Sequence, residues 1–175
     1  MNRKSFAPAS ITLAAAALLG ACAGGPQRVQ VPAAIAAAPN QTLAMSVAAR
    51  GVQIYECRSA TPGAAPQWTF VAPEAELLDA QGRTVGMHGA GPHWTFEDGT
   101  RITGRVAGRA DAPQAGAIPW LLLDSRTQPP ANVPPNPFGD LRSIQRVHTA
   151  GGSAPADGCS SEGVGSRVRV PYTAD

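Results

Sequence analysis

From residue 41 onward, apolar and polar residues alternate with a period of two over most of the chain, which predicts strands with one buried face. Leu43, Met45 and Val47 start the pattern, and past Gly51 the residues Val52, Ile54 and Glu56 oppose Gln53, Tyr55 and Cys57. Trp68 and Phe70 precede Ala72-Pro73, Glu76 to Leu78 leads into the turn Asp79-Ala80-Gln81-Gly82, and Val85 and Met87 follow. Trp94 and Phe96 run into Asp98-Gly99, a hairpin signal, with Ile102, Gly104 and Val106 as the return strand. Ile118 to Leu123 is continuously apolar and fits a strand covered on both faces, and Ile144–His148 and Arg167–Tyr172 complete the series. No stretch shows a helical period; Glu74–Ala80, after Pro73, fits one helical turn or a strand equally well. About nine or ten short strands with turn signals between them predict an all-β domain over 31–175, a sandwich or a partly closed barrel.

The N-terminus departs from this pattern. Arg3 and Lys4 precede an apolar run from Ile11 to Leu19 and then small residues, the order of an export signal. A membrane-spanning helix needs roughly 20 apolar residues, which this run does not supply. Leu19-Gly20-Ala21-Cys22 resembles the lipobox of bacterial lipoproteins. That resemblance implies a signal peptide over 1–21, lipidation of Cys22 and a Gly/Pro/Gln-rich tether over 22–30. It places the protein in the bacterial cell envelope, held on a membrane by its lipid. Ala23, where an aspartate would retain the protein at the inner membrane by enterobacterial sorting, favours the outer membrane, facing periplasm or surface.

Without residues 1–21 the chain has 12 Arg, 12 acidic residues and no Lys, so its side chains sum to zero charge. Nucleic-acid binding needs a basic stripe, and none is visible. Cys57 and Cys159 remain as a pair and, in an oxidising compartment, are expected to form a disulfide closing a loop of about 100 residues. Five prolines within Gln128–Gly139 predict an exposed loop with polyproline character.

Several segments together carry a family resemblance. They are Gly51-Val52-Gln53-Ile54-Tyr55-Glu56-Cys57, Trp68-x-Phe70-x-Ala72-Pro73-Glu74, and Gly86-x-His88-x-Ala90-Gly91-Pro92-x-Trp94. Ile118-Pro119-Trp120-Leu121-Leu122-Leu123, Ile144-Gln145-Arg146-Val147, Gly151-Gly152-x-Ala154-Pro155 and Val170-Pro171-Tyr172-Thr173-Ala174 follow in order. The chain resembles the secreted domain-of-unknown-function family 3455 of bacteria and fungi, a resemblance that implies no established activity.

The densest polar segment is 86–98, with Gly86, Gly89 and Gly91 beside His88, His93, Trp94, Glu97 and Asp98. Two imidazoles with a carboxylate can ligate a metal, which makes His88 and His93 the candidate ligands. Otherwise His88 is a hydrogen-bonded structural residue and His93 is exposed. His88 with Asp98 is a weaker acid–base candidate. Trp68, Trp94 and Trp120, with His88, are candidates for lining a ligand site, or else pack in the core. Arg146 is read as a half-buried cation paired with Glu56 or Glu74. No nucleophile elbow, P-loop, His-Glu-x-x-His or dinucleotide motif is present, and no cofactor is expected. The leading reading is a lipid-anchored envelope domain, not an enzyme, that binds a small ligand, a glycan or an envelope protein. The alternative is a metal-dependent or His-based enzyme centred on 86–98.

Overall fold

A computed structural model describes residues 29–129 and 141–175. The signal, Cys22, most of the tether and most of the proline-rich segment lie outside these residues. Nine strands, β1 (Ala48–Arg58), β2 (Gln67–Leu78), β3 (Thr84–Gly89), β4 (His93–Phe96), β5 (Arg101–Ala110), β6 (Trp120–Gln128), β7 (Ser143–Arg146), β8 (Ala150–Gly151) and β9 (Arg167–Ala174), make one sheet. Its order is β7-β6-β5-β4-β3-β2-β1-β9-β8, every neighbouring pair is antiparallel, and the sheet curls into a half-barrel. Of the two expected architectures this is the partly closed barrel.

Three register breaks mark bulges, one where Tyr55 pairs Phe70 while Ile54 pairs Ala72, one between Leu77 and Leu78 against β3, and one between Val106 and Gly108. A bulge bends a strand and increases its twist, which favours curling over flat stacking. One end then closes through main-chain bonds. Val147 and Asp175 exchange N–H···O=C bonds of 2.9 Å each, and Ile118 N–H donates to Gly151 O. The far ends of the strand order are thereby joined.

The alternation read in β1 holds, and the structure shows which half faces inward. Gln53, Tyr55 and Cys57 are buried on the concave side, whereas Val52, Ile54 and Glu56 are only partly covered. On the convex side Glu56 accepts from Arg58 and Arg167, and Glu74 from Arg169. The largest apolar cluster, Leu77, Phe96 and Ile102 with Trp94 and Ile144 against it, lies on the concave face. A second, Ile35, Trp120 and Val147, forms where the N-terminal segment folds over the outside of β5 and β6. The main chain of Ala34 approaches Gly108 so closely that a Cβ there would collide with its carbonyl oxygen. Ile118–Leu123 is therefore covered on both faces, as its unbroken apolarity predicts.

One expectation is corrected, one open alternative is resolved and one short strand is new. Residues 41–47 form no strand; they run past the concave face without a ladder, leaving Leu43 and Met45 exposed. Alternation alone cannot tell a paired strand from an unpaired segment with one side against a surface. Of the two alternatives for Glu74–Ala80 the strand is the one formed, over Glu74–Leu78, with Ala75 and Leu77 buried on the concave face while Glu74 and Glu76 point out. Pro73 is tolerated because pairing to β3 begins only at Ala75. The two-residue β8 was not foreseen; it follows His148, which takes a positive φ of 48°.

Candidate functional site

Segment 86–98 folds as the β3–β4 hairpin, with Gly91 at a φ of 87° in its turn. Cross-strand pairing sets His88 directly opposite Trp94, and their rings stack at 4.7 Å and 7°. His88 is buried, and its Nδ1–H donates to the carbonyl of His93 at 2.8 Å. Burial is the main cause that pushes the imidazole down to about 4, outweighing the hydrogen bond to His93 O, which opposes the shift. His88 is thus neutral at pH 7. His93 pairs with Gly89 one residue along, which aims it to the other face of the sheet, and its Nδ1–H donates to Ala90 O at 2.6 Å. The two imidazoles therefore do not converge, and no group of three metal-ligating side chains occurs among the described residues. The Asp98 carboxylate caps the next turn, accepting from Thr100 N–H.

The three tryptophans occupy three places. Trp94 lines the concave face. Trp68 donates its Nε1–H to Asp157 O at 2.8 Å, beside the loop tied down by the Cys57–Cys159 disulfide. Trp120 lies under the N-terminal segment, edge-on to His148 at 5.5 Å. Of the four candidate ligand-binding residues, the fold brings together only His88 and Trp94.

Beside Trp94 is a cavity of about 200 Å³, walled on one side by Leu77, Trp94, Phe96, Ile102 and Ile144, and on the other by Thr42 to Val47. The alternating Leu43, Met45 and Val47 that resembled a strand thus form the outer wall of a pocket. Ser143 Oγ–H donates to Gln41 Oε1, which fixes the start of this wall to β7.

Further into the half-barrel a polar group collects that the sequence did not reveal. Arg146 is not paired with Glu56 or Glu74, whose own arginines hold them on the convex face. It pairs with Leu121 across β6–β7 on the concave side, and its Nε and Nη2 donate to Pro119 O at 3.1 and 2.7 Å. Burial draws its guanidinium below the ordinary value, with Tyr172 opposing and the cation of Arg109 adding to the fall. Around the neighbouring Gly152, Tyr55 donates its hydroxyl to Gly152 O at 2.6 Å, and the side chains of Gln53, Tyr172 and Ile118 crowd the position a Cβ would take. A Cβ is impossible there, and the φ of 86° also selects glycine. The Gln53 side chain lies against the Tyr172 hydroxyl, and its wholly buried Nε2 makes no hydrogen bond of good geometry among the described residues. Only the curl of the single sheet, which brings β7 towards β1 and β9, places these groups together; no local spacing announces it.

No curated protein and no solved structure matches the chain. A family model described as a protein of unknown function, DUF3455, matches residues 37–175, the whole sheet and the wall segment. The chain therefore belongs to the DUF3455 family.

Proposed function

We propose that this is a cell-envelope binding domain, held on the outer membrane by lipid on Cys22, that takes a small apolar ligand into the cavity beside Trp94. The observation that carries the reading is the cavity itself: a void of about 200 Å³ whose strand wall is Leu77, Trp94, Phe96, Ile102 and Ile144. Ligand pockets are concave and mostly apolar with a few polar groups at fixed places, and the mouths of β-barrels are a common location. Apolar voids of ~150 Å³ accept benzene-sized molecules, so this one suits a short hydrocarbon or a single ring. The disulfide fits an oxidising compartment. A glycan is less suited to the strand wall, which is apolar, although Gln41, Thr42, Ser46, Ser143, Gln145 and Asp175 also line the cavity.

The test uses N-phenyl-1-naphthylamine, an uncharged fluorophore that brightens in apolar surroundings. Saturable one-to-one binding is expected, lost in Ile144→Trp, which fills the void, while thermal melting shows the variant folded. No saturable binding, or binding unchanged by Ile144→Trp, contradicts the reading.

A further inference from the structure

We propose that β5 takes up an extended acidic segment of a partner protein as an added strand beyond the tip of the β3–β4 hairpin. The site is separate from the cavity and does not rest on it. β2 and β5 are 12 and 10 residues long, whereas β3 and β4 between them have 6 and 4. Pairing of β2 to β3 stops at Ala75, and β5 makes its last bond to the hairpin from Gly104 N–H to Pro92 O at 3.0 Å. Past the turn, residues 67–72 of β2 and 105–110 of β5 have no strand on their facing edges among the described residues. The gap is two strands wide, about 14 Å at the usual strand spacing. Such an edge is a template for a further strand. Main-chain groups alternate sides along a strand, so the N–H and C=O of Val106, two residues after Gly104, point into the gap. The ladder to β6 does not use them: Ser125, opposite Gly104, turns its own N–H away to Arg142 O, and Leu123, opposite Val106, follows at a spacing of two.

The side chains on the two lips fix the chemistry of the strand. Register puts Val106, opposite Leu123, and Phe70, opposite Tyr55, on the concave face, each at the first such position past the hairpin tip. They are 49% and 51% exposed, so an apolar side chain on the added strand gains by covering them. On the same face Arg109, opposite Leu121, is exposed and in no ion pair among the described residues. Its cation acts on Arg146, and no carboxylate is among the groups acting on that guanidinium. Arg105 points to the opposite face and is neutralised by Asp124. The free charge at the gap is thus positive, and an acidic side chain opposite Arg109 completes a cross-strand pair. On the facing lip Pro73 has no N–H to give at the level of the hairpin tip, which leaves β5 as the edge that both donates and accepts.

Selection of random phage-displayed peptides on the purified protein tests the site without presuming a sequence. Enriched peptides are expected to alternate apolar with polar residues and to carry Asp or Glu. A fluorescein-labelled synthetic copy of the most enriched one should show saturable anisotropy. It should bind about tenfold more weakly when its acids are replaced by their amides, the scale of a charge-assisted hydrogen bond. Val106→Pro removes a donor that the fold does not use and should abolish binding while thermal melting shows the variant folded. Arg109→Glu leaves the edge intact and should reverse the preference, favouring the amide form; it carries the test alone where Val106→Pro does not fold. No enrichment, enriched peptides without acids, or binding and preference that survive the substitutions overturn the proposal. A concentration-dependent dimer in sedimentation that Val106→Pro dissolves also overturns it, since the edge then belongs to a second copy. N-phenyl-1-naphthylamine should bind both variants as it binds the unaltered protein, so a failure at this edge and a failure of the cavity are told apart.

Discussion

His88 illustrates how one side chain couples burial, stacking and pH. Its folded value of about 4 lies below the ordinary histidine value of 6.5. Above pH 6.5 the ring is neutral in both folded and unfolded chains, and its contribution to stability is complete. As pH falls from 6.5 towards 4 the unfolded chain takes up a proton that the folded chain refuses, so stability declines across that window by up to about 3 kcal/mol. Urea titrations at pH 7.5 and 5 should show this decline in the unaltered protein and a smaller one in His88→Gln. Equal slopes in the two proteins would refute a depressed value. At neutral pH, His88→Ala is expected to cost ~1–3 kcal/mol, because the carbonyl of His93 loses its donor and Trp94 its stacking partner. His93→Ala should cost less, since that ring lies near the surface on the turn. The structural role of His88 was legible from a glycine-rich loop that needed local hydrogen bonds. Arg146 was not legible, because a pairing by charge named Glu56 and Glu74, and only register shows that those acids point to the other face.

Among the elements, the hairpins were the most readable, since Asp79–Gly82 and Asp98-Gly99 reverse the chain where turn chemistry demands. The wall at 41–47 was misread because a segment with one side against the barrel shows the same alternation as a strand. Its dependence on side chains rather than ladder bonds predicts that it loosens first. Native-state hydrogen exchange should find the amides of 42–46 unprotected while those of β1 and β2 exchange only on global unfolding. Protection of 42–46 equal to that of β1 would show that the wall is part of the cooperative core. The loop that carries Cys159 is held to β1 by the disulfide, across a separation of 102 residues, and by main-chain bonds between Cys57 and Gly165 and Ser166. Cys57→Ala and the double variant with Cys159→Ala should lose similar amounts, about 2–5 kcal/mol by chemical denaturation, since either removes the same crosslink. A double variant as stable as the unaltered protein would show that the crosslink adds nothing to the main-chain bonds.

As a whole, the molecule is a curled sheet joined across by the Val147–Asp175 and Ile118–Gly151 bonds, with a cavity between Trp94 on its concave face and the segment 42–47, and a polar group around Arg146 and Gln53. The all-β class and the sequence of strands could be read from period and turns; the curl could not, because the three bulges that favour it shift register without a sequence mark of their own. Attachment to the envelope is expected to show as incorporation of labelled palmitate, abolished by Cys22→Ser, and a freely soluble unlabelled mature protein would refute it. The most direct measurement on the central claim is the binding isotherm of N-phenyl-1-naphthylamine with the purified domain and with its Ile144→Trp variant. The cavity predicts one saturable site in the first and none in the second at equal thermal stability; identical isotherms for the two, or no saturation in either, would contradict it.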